Sequence, residues 1–152
     1  LDCGVFLSKF EHPIDSKGRV SLPGAFRAAL GGEEHVFCWM SFDGPFLEGG
    51  GARFLEKLSA SIEGFDLYDD ARIAFAQAIF GAARQLSLDS TGRLGLPKDF
   101  SDHAAIDKTA LFVGLGDRFQ VWAPDAYAQR EREARAFAAA NKNKLQVAGA
   151  KP

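Results

Sequence analysis

Cysteine is scarce in this chain: Cys3 and Cys38 are the two among 152 residues. That is too few for a disulfide framework and fits a reducing cytoplasm. Cys38, inside the apolar run VFCWM, reads as a small core residue. Long apolar runs are missing as well. No uninterrupted stretch approaches the roughly 18 residues that a spanning helix needs, so no membrane partner is expected. The opening LDCGVFLSKF has no basic segment ahead of an apolar one and reads as no secretory signal. The three histidines, His12, His35 and His103, stand far apart, and none falls at ligand spacing with Cys or Asp. No metal or other cofactor is expected. GLG at 114–116 lacks the third glycine and the strand-to-helix setting of a dinucleotide loop. No Ser/His/Asp or Cys/His set assembles, so the chain reads as a non-enzyme with no catalytic residues and no small-molecule substrate.

A basic excess is absent too, with a formal net charge of -2. The distribution matters more than the total. Residues 33–80 hold nine acidic and three basic side chains, 128–152 hold two acidic and six basic, and the first thirty hold three and four. A polyanion responds to the local field, so the near-neutral total does not exclude nucleic acid.

What is present is a sentence written twice. IDSKGRVSLPGAF runs from Ile14 to Phe26, and LDSTGRLGLPKDF follows 74 positions later, from Leu88 to Phe100, with seven of thirteen residues identical. At the same offset, HVFCWMSFDGPFLE (35–48) falls opposite TALFVGLGDRFQVW (109–122). Trp39 and Trp122 then occupy nearly matching places and read as core aromatics. Each copy predicts strand, turn, strand, short helix, strand, turn, strand. Two copies are too few for a solenoid. Neither holds enough apolar residues for a core of its own, so they are expected to interleave about a pseudo-two-fold axis.

Four segments follow: a first half at 6–48, a helical bridge at 49–84, a second half at 85–127, and a C-terminal helix and tail at 128–152. GGG at 49–51 is expected to break the strand before it. Phe54, Leu55, Leu58 and Ile62 then stand at helical spacing. A second bridge helix has Asp69 or Asp70 as N-cap and Ile73, Phe75, Ile79 and Phe80 as its apolar positions. Pro124 opens a charged, exposed helix, and LQVAGAKP reads as a fraying tail.

Within the repeated sentence, Asp15 and Asp89 start a type I turn, and Gly18 and Gly92 close it with positive φ. The Asp15 carboxylate is placed to accept from the amides of Lys17 or Gly18. Pro23 and Pro97 suit the first helical position. Asp, Gly and Pro are thus scaffold. Arg19 and Arg93 are not explained in this way. The local alternative is a salt bridge from each Arg to the Asp four residues earlier. The functional alternative is phosphate contact, because Ser16, Lys17 and Arg19, with Ser90, Thr91 and Arg93, put hydroxyls, cations and turn amides on narrow hairpin tips.

Strand, D-x-x-G-R, strand, L-P-x-x-F, written twice around a helical bridge and ending in VGLGDRFQVW, resembles the MraZ family of bacterial transcriptional regulators from about Phe6 to about Tyr127. The resemblance implies an α+β fold of tandem AbrB-like swapped-hairpin halves, forming one intertwined pseudo-two-fold β-barrel with flanking helices. It implies a ring-shaped homo-oligomer that binds double-stranded DNA at repeated promoter boxes of its own division and cell-wall gene cluster. The expected location is the cytoplasm, at the nucleoid. By motif position, Asp15, Lys17, Gly18 and Arg19, with Asp89, Gly92 and Arg93, correspond to the DNA-facing loops. Thr91 in place of a basic residue implies a weaker second tip, and Gly95 weakens a strand position. Two other readings stand beside this one. The first is an antitoxin-like module whose main partner is a protein held by the C-terminal helix. The second is an enzyme using Asp15 and Asp89 as a carboxylate pair, which would need them buried and facing each other.

Overall fold

A computed structural model describes residues 4–146; Cys3 and most of the tail (147–152) lie outside them. The first copy of the repeat forms β1 (Lys9–Pro13), β2 (Arg19–Ser21), α1 (Gly24–Ala29), β3 (His35–Met40) and β4 (Leu47–Gly50). The bridge forms α2 (Ala52–Glu63) and α3 (Asp70–Ile79). The second copy forms β5 (Arg84–Ser87), β6 (Arg93–Gly95), α4 (Lys98–His103), β7 (Thr109–Gly114) and β8 (Phe119–Trp122), and α5 (Pro124–Ala140) follows. The chain is a mixed α+β protein whose strands pair antiparallel.

Strands of the two copies alternate in pairing. The six-stranded sheet runs β1-β7-β8-β4-β3-β5, and β2 pairs with β6 in a separate two-stranded ribbon. The first copy's entry strand therefore lies on the second copy's hairpin, with Phe10 opposite Phe112. The second copy's entry strand lies on the first copy's hairpin, with Arg84 opposite Cys38. Interchanging the copies leaves the pairing unchanged, and neither copy has a complete sheet without the other.

The 74-residue offset fails in one place. Phe37 pairs with Gly50, and its counterpart Leu111 pairs with Trp122. The second hairpin is thus two residues shorter, and the counterpart of Trp122 is Gly50 rather than Glu48. Trp39 and Trp122 are consequently not matched. Trp39 stacks on Phe54 of α2 at 5.9 Å, in a cluster with Ile62 and Ile79. Trp122 stacks on Phe46 at 4.4 Å, beside Val113 and under Tyr127 of α5. Both remain core aromatics.

The glycine run does not break the strand as expected. Gly49 and Gly50 are strand residues, and Gly51 caps α2. A methyl group on Gly49 would come within 2.7 Å of the Phe119 ring, and one on Gly50 within 3.0 Å of Phe54. These glycines let aromatic rings approach the backbone closely.

The main core lies between the sheet, the β2–β6 ribbon, and α1 and α4. It gathers Phe6, Val20, Phe26, Leu94, Phe100, Phe112 and Phe119, all fully or nearly fully buried. Each such Phe contributes about 1.5–3 kcal/mol through burial. Leu22, Phe26, Ala29 and Leu30 share the buried face of α1. Pro23 and Pro97 sit at the caps of α1 and α4, with extended ψ of 138° and 147°, one residue earlier than expected. Asp69 caps α3 by accepting from the Ala71 amide at 2.7 Å. α3 buries Ile79 but leaves Ile73, Phe75 and Phe80 well exposed. α5 has no buried residue.

Candidate nucleic-acid interface

The two D-x-x-G-R turns are built alike. The Asp15 amide donates to the Arg19 carbonyl at 2.9 Å, and the Gly18 amide returns to the Asp15 carbonyl at 3.0 Å. In the second turn the corresponding distances, from Asp89 to Arg93 and from Gly92 to Asp89, are 2.8 and 3.0 Å. Gly18 and Gly92 have φ of +78° and +81°, a region that side chains with a Cβ rarely enter. Chain reversal of this kind requires glycine there.

The aspartates are saturated locally. Asp15 Oδ1 accepts from the amides of Lys17 and Arg19, both at 2.9 Å, and Oδ2 accepts from Arg19 Nε at 2.8 Å. Gly18, which the sequence offered as an alternative donor to that carboxylate, donates to the backbone instead. Asp89 Oδ1 accepts from the amides of Thr91 and Arg93 and from the Thr91 hydroxyl, and Oδ2 accepts from Arg93 Nε at 3.1 Å. Both are surface residues with their lone pairs spent on neighbours. A buried, facing carboxylate pair for catalysis is not what these residues make.

The local salt bridge is therefore present at both tips. It uses Nε of each arginine, and among the described residues no Nη of Arg19 or Arg93 is within hydrogen-bonding distance of a protein acceptor. Arg93 Nη1 also lies 3.7 Å from Asp15 Oδ2, the oxygen that holds Arg19. The two arginines, 74 positions apart in sequence, thus converge on one carboxylate. The ribbon brings this about: Arg19 stands opposite Gly95 and Arg93 opposite Ser21, which makes the arginines diagonal neighbours. Each turn glycine then reaches across to the other copy. The Leu22 amide donates to the Gly92 carbonyl at 3.0 Å, and the Leu96 amide to the Gly18 carbonyl at 2.9 Å. These reciprocal bonds fix the two tips as one rigid unit.

Ser16, Lys17, Ser90 and Thr91 are exposed on the turns. Lys9, at the start of β1, pairs with Glu131 of α5 and lies over the Tyr127 ring. The fold adds side chains that the sequence did not connect with the tips. An open cleft of about 690 Å³ beside the first turn is lined by Lys98, Ser101, Asp102, Asp107 and Lys108 of the second copy, together with Lys17. Extending the 74-residue comparison from the motif to its charged neighbours would have drawn attention to them. Among the described residues, no group of three or more His, Cys, Asp or Glu side chains could hold a metal ion.

The backbone amides of Arg19 and Arg93, with the other donors above, hold the carboxyls of Asp15 and Asp89 below the ordinary carboxylate range. A depressed folded-state pKa stabilises the fold above the unfolded value, about 4, and that contribution is lost as pH falls through the folded one. The expected outcome is a melting temperature that declines below about pH 4. Asp15→Asn and Asp89→Asn should melt lower at neutral pH and show a flatter acid limb. Thermal melts across pH 2–7 check this, and an unchanged limb in the Asp89→Asn variant contradicts it.

The sequence profile described as "MraZ protein, putative antitoxin-like" matches residues 79–148. A protein of Rickettsia canadensis is 43% identical over 125 residues, covering 81% of this chain and 84% of its own. One of Pelagibacter ubique is 39% identical over 143 residues, covering 93% and 92%. One of Hyphomonas neptunium is 36% identical over 137 residues, covering 90% and 83%. All three are named "Transcriptional regulator MraZ". The chain belongs to the MraZ family. The profile match takes in the second copy and α5, whereas the long alignments to the MraZ proteins of Pelagibacter ubique and Hyphomonas neptunium take in most of the chain.

Proposed function

We propose that this protein is a transcriptional regulator that binds double-stranded DNA through its paired hairpin tips. The convergence of Arg19 and Arg93 on Asp15 carries the reading. Two guanidiniums hydrogen-bonded to the turns through Nε, on a rigid two-copy unit, are preorganised to meet phosphate oxygens or guanine edges. Ser16, Lys17 and Ser90 supply further donors; Thr91, whose hydroxyl is donated to Asp89, sits beside them as an acceptor, while Asp15, Gly18, Pro23, Asp89, Gly92 and Pro97 hold the tips in shape. The platform is an AbrB-like swapped-hairpin barrel. The targets are repeated boxes in the promoter of its own division and cell-wall gene cluster, and the protein acts at the nucleoid as a ring-shaped homo-oligomer. An exposed aromatic patch supports self-assembly: Phe42 and Phe65 lie 6.2 and 5.9 Å from Phe75, ring centre to ring centre.

The test is a gel shift against the DNA upstream of its own coding sequence, repeated across salt concentrations. Lys17, Arg19 and Arg93 together predict a log–log slope of about -2.7 per bound reader, from about 0.9 per neutralised phosphate. A slope near zero removes the tips as the DNA-binding surface. A second reading, a protein-binding antitoxin-like module, draws on the wording of the family description and on the wholly unburied α5. It predicts no retarded band at any salt concentration.

A further inference from the structure

The turn motif gives Lys17 to the first tip and uncharged Thr91 to the second, at matching places: each amide donates to its Asp Oδ1 at 2.9 Å. The short helix of each copy approaches the other copy's turn, and there the charges are reversed. Arg27 of α1 and Ser101 of α4 occupy one place. Each follows the buried phenylalanine of its helix, Phe26 or Phe100. Each amide donates to the proline carbonyl four residues earlier, Pro23 at 2.9 Å and Pro97 at 3.1 Å. Ser101 lines the cleft beside Gly18. Arg27 lies over Gly92: a methyl group on that glycine would come within 2.7 Å of Nη1 and 3.4 Å of Cζ. Gly92 is accordingly buried, whereas Gly18 is half-buried.

The turn does not need a cation there. Arg27 is exposed in the last turn of α1, and among the described residues its side chain makes no salt bridge and no hydrogen bond. Asp89, the carboxylate of the turn it covers, is already occupied by the Thr91 and Arg93 amides, the Thr91 hydroxyl and Arg93 Nε. A cation in the last turn suits the helix dipole, but that effect does not require the guanidinium to reach the other copy's turn. Its five N–H donors are thus kept at the tip that has no lysine.

We infer that Arg27 is the phosphate-binding cation of the second tip, where it takes the part that Lys17 plays at the first. The inference rests on the DNA-binding reading above and adds a residue to it. Each tip then carries its motif arginine and one further cation, on the turn itself or from the facing helix. Threonine at 91 is offset by arginine at 27. The reader offers four cations rather than three, and the expected salt slope becomes about -3.6 instead of about -2.7.

Binding by the full chain to the shortest upstream duplex that it retains, measured across salt concentrations, tests this. Arg27→Gln keeps a side chain long enough to cover Gly92 and removes the charge. It should melt like the unaltered protein and make the slope shallower by about 0.9 per reader, whereas Arg27→Lys should keep the slope. The double variant Arg27→Ser/Thr91→Lys rewrites the second tip with the residues of the first. It should recover the slope that Arg27→Ser loses, a recovery that a packing role cannot give. A folded Arg27→Gln protein with an unchanged slope overturns the inference and leaves DNA binding by the tips standing. So does a double variant no steeper than Arg27→Ser, and this comparison decides even if Arg27→Gln melts lower. Failure of the unaltered protein to bind any upstream fragment overturns the DNA-binding reading, and the role of Arg27 with it.

Discussion

Replacing Arg19 with alanine is expected to leave the protein folded and to remove specific DNA binding. The fold loses little because the turn does not depend on the guanidinium. The Arg19 backbone still donates its amide to Asp15 Oδ1 and accepts from the Asp15 amide, and Asp15 keeps the Lys17 amide as well. The ion pair that disappears lies half-exposed at the surface, and such pairs contribute little to stability. Binding loses much, since an arginine forked onto a base or phosphate carries about 1–3 kcal/mol of recognition, roughly five- to 150-fold for each reader. Several readers on adjacent boxes compound that loss. Arg93→Ala should do the same or slightly less. Arg19→Lys retains charge without the fork, so it should keep part of the salt dependence and lose preference for the box. Thermal melts set beside binding isotherms separate the cases. An Arg19→Ala protein that melts many degrees lower would make the arginine a structural residue.

Much of the fold was legible because its signals are local. Asp and Gly at the ends of a tight turn, Pro ahead of a short helix and Asp69 at an N-cap each act over four residues or fewer. Repetition then multiplied their weight. What could not be read depended on contacts between distant segments. The two-residue shortening of the second hairpin falls in a turn where the copies barely align, and only the pairing of Leu111 with Trp122 exposes it. Gly49 and Gly50 looked like strand breakers because the rings of Phe119 and Phe54 that lie against them are far off or on the next helix.

The candidate site divides in the same way. The sequence isolated Arg19 and Arg93 as residues that the turn does not need, yet it offered the salt bridge and the open cation as alternatives. The geometry shows the salt bridge, made through Nε at both tips, with Arg93 Nη1 also 3.7 Å from Asp15. Lys98 and Lys108 drew no attention, because only the folded chain brings these second-copy residues beside the first turn. Helical periodicity in α3 placed Phe75 and Phe80 on an apolar face without saying what covers that face.

That uncovered face gives the last expectation. Phe42, Phe65 and Phe75 form a contiguous aromatic patch, with Leu67 and Tyr68 exposed in the adjoining loop. Clusters of this kind on a water-soluble surface mark association sites. If a second copy covers it, light scattering should report an assembly well above a dimer for the unaltered protein. Phe75→Glu should reduce that assembly to single chains, because a carboxylate placed between the Phe42 and Phe65 rings loses its hydration on association. Its own fold should survive, since Phe75 is 37% exposed and lies outside the buried clusters. The tips are untouched, so binding to a one-box probe should change little. Binding to a three-box probe should fall by about 10²–10⁴-fold, because contacts that were intramolecular in the assembly become independent. The salt slope should also stop growing with the number of boxes. An unaltered protein that is monomeric and grips one isolated box tightly would exclude the ring, and a Phe75→Glu protein that still assembles would place the contact on another surface.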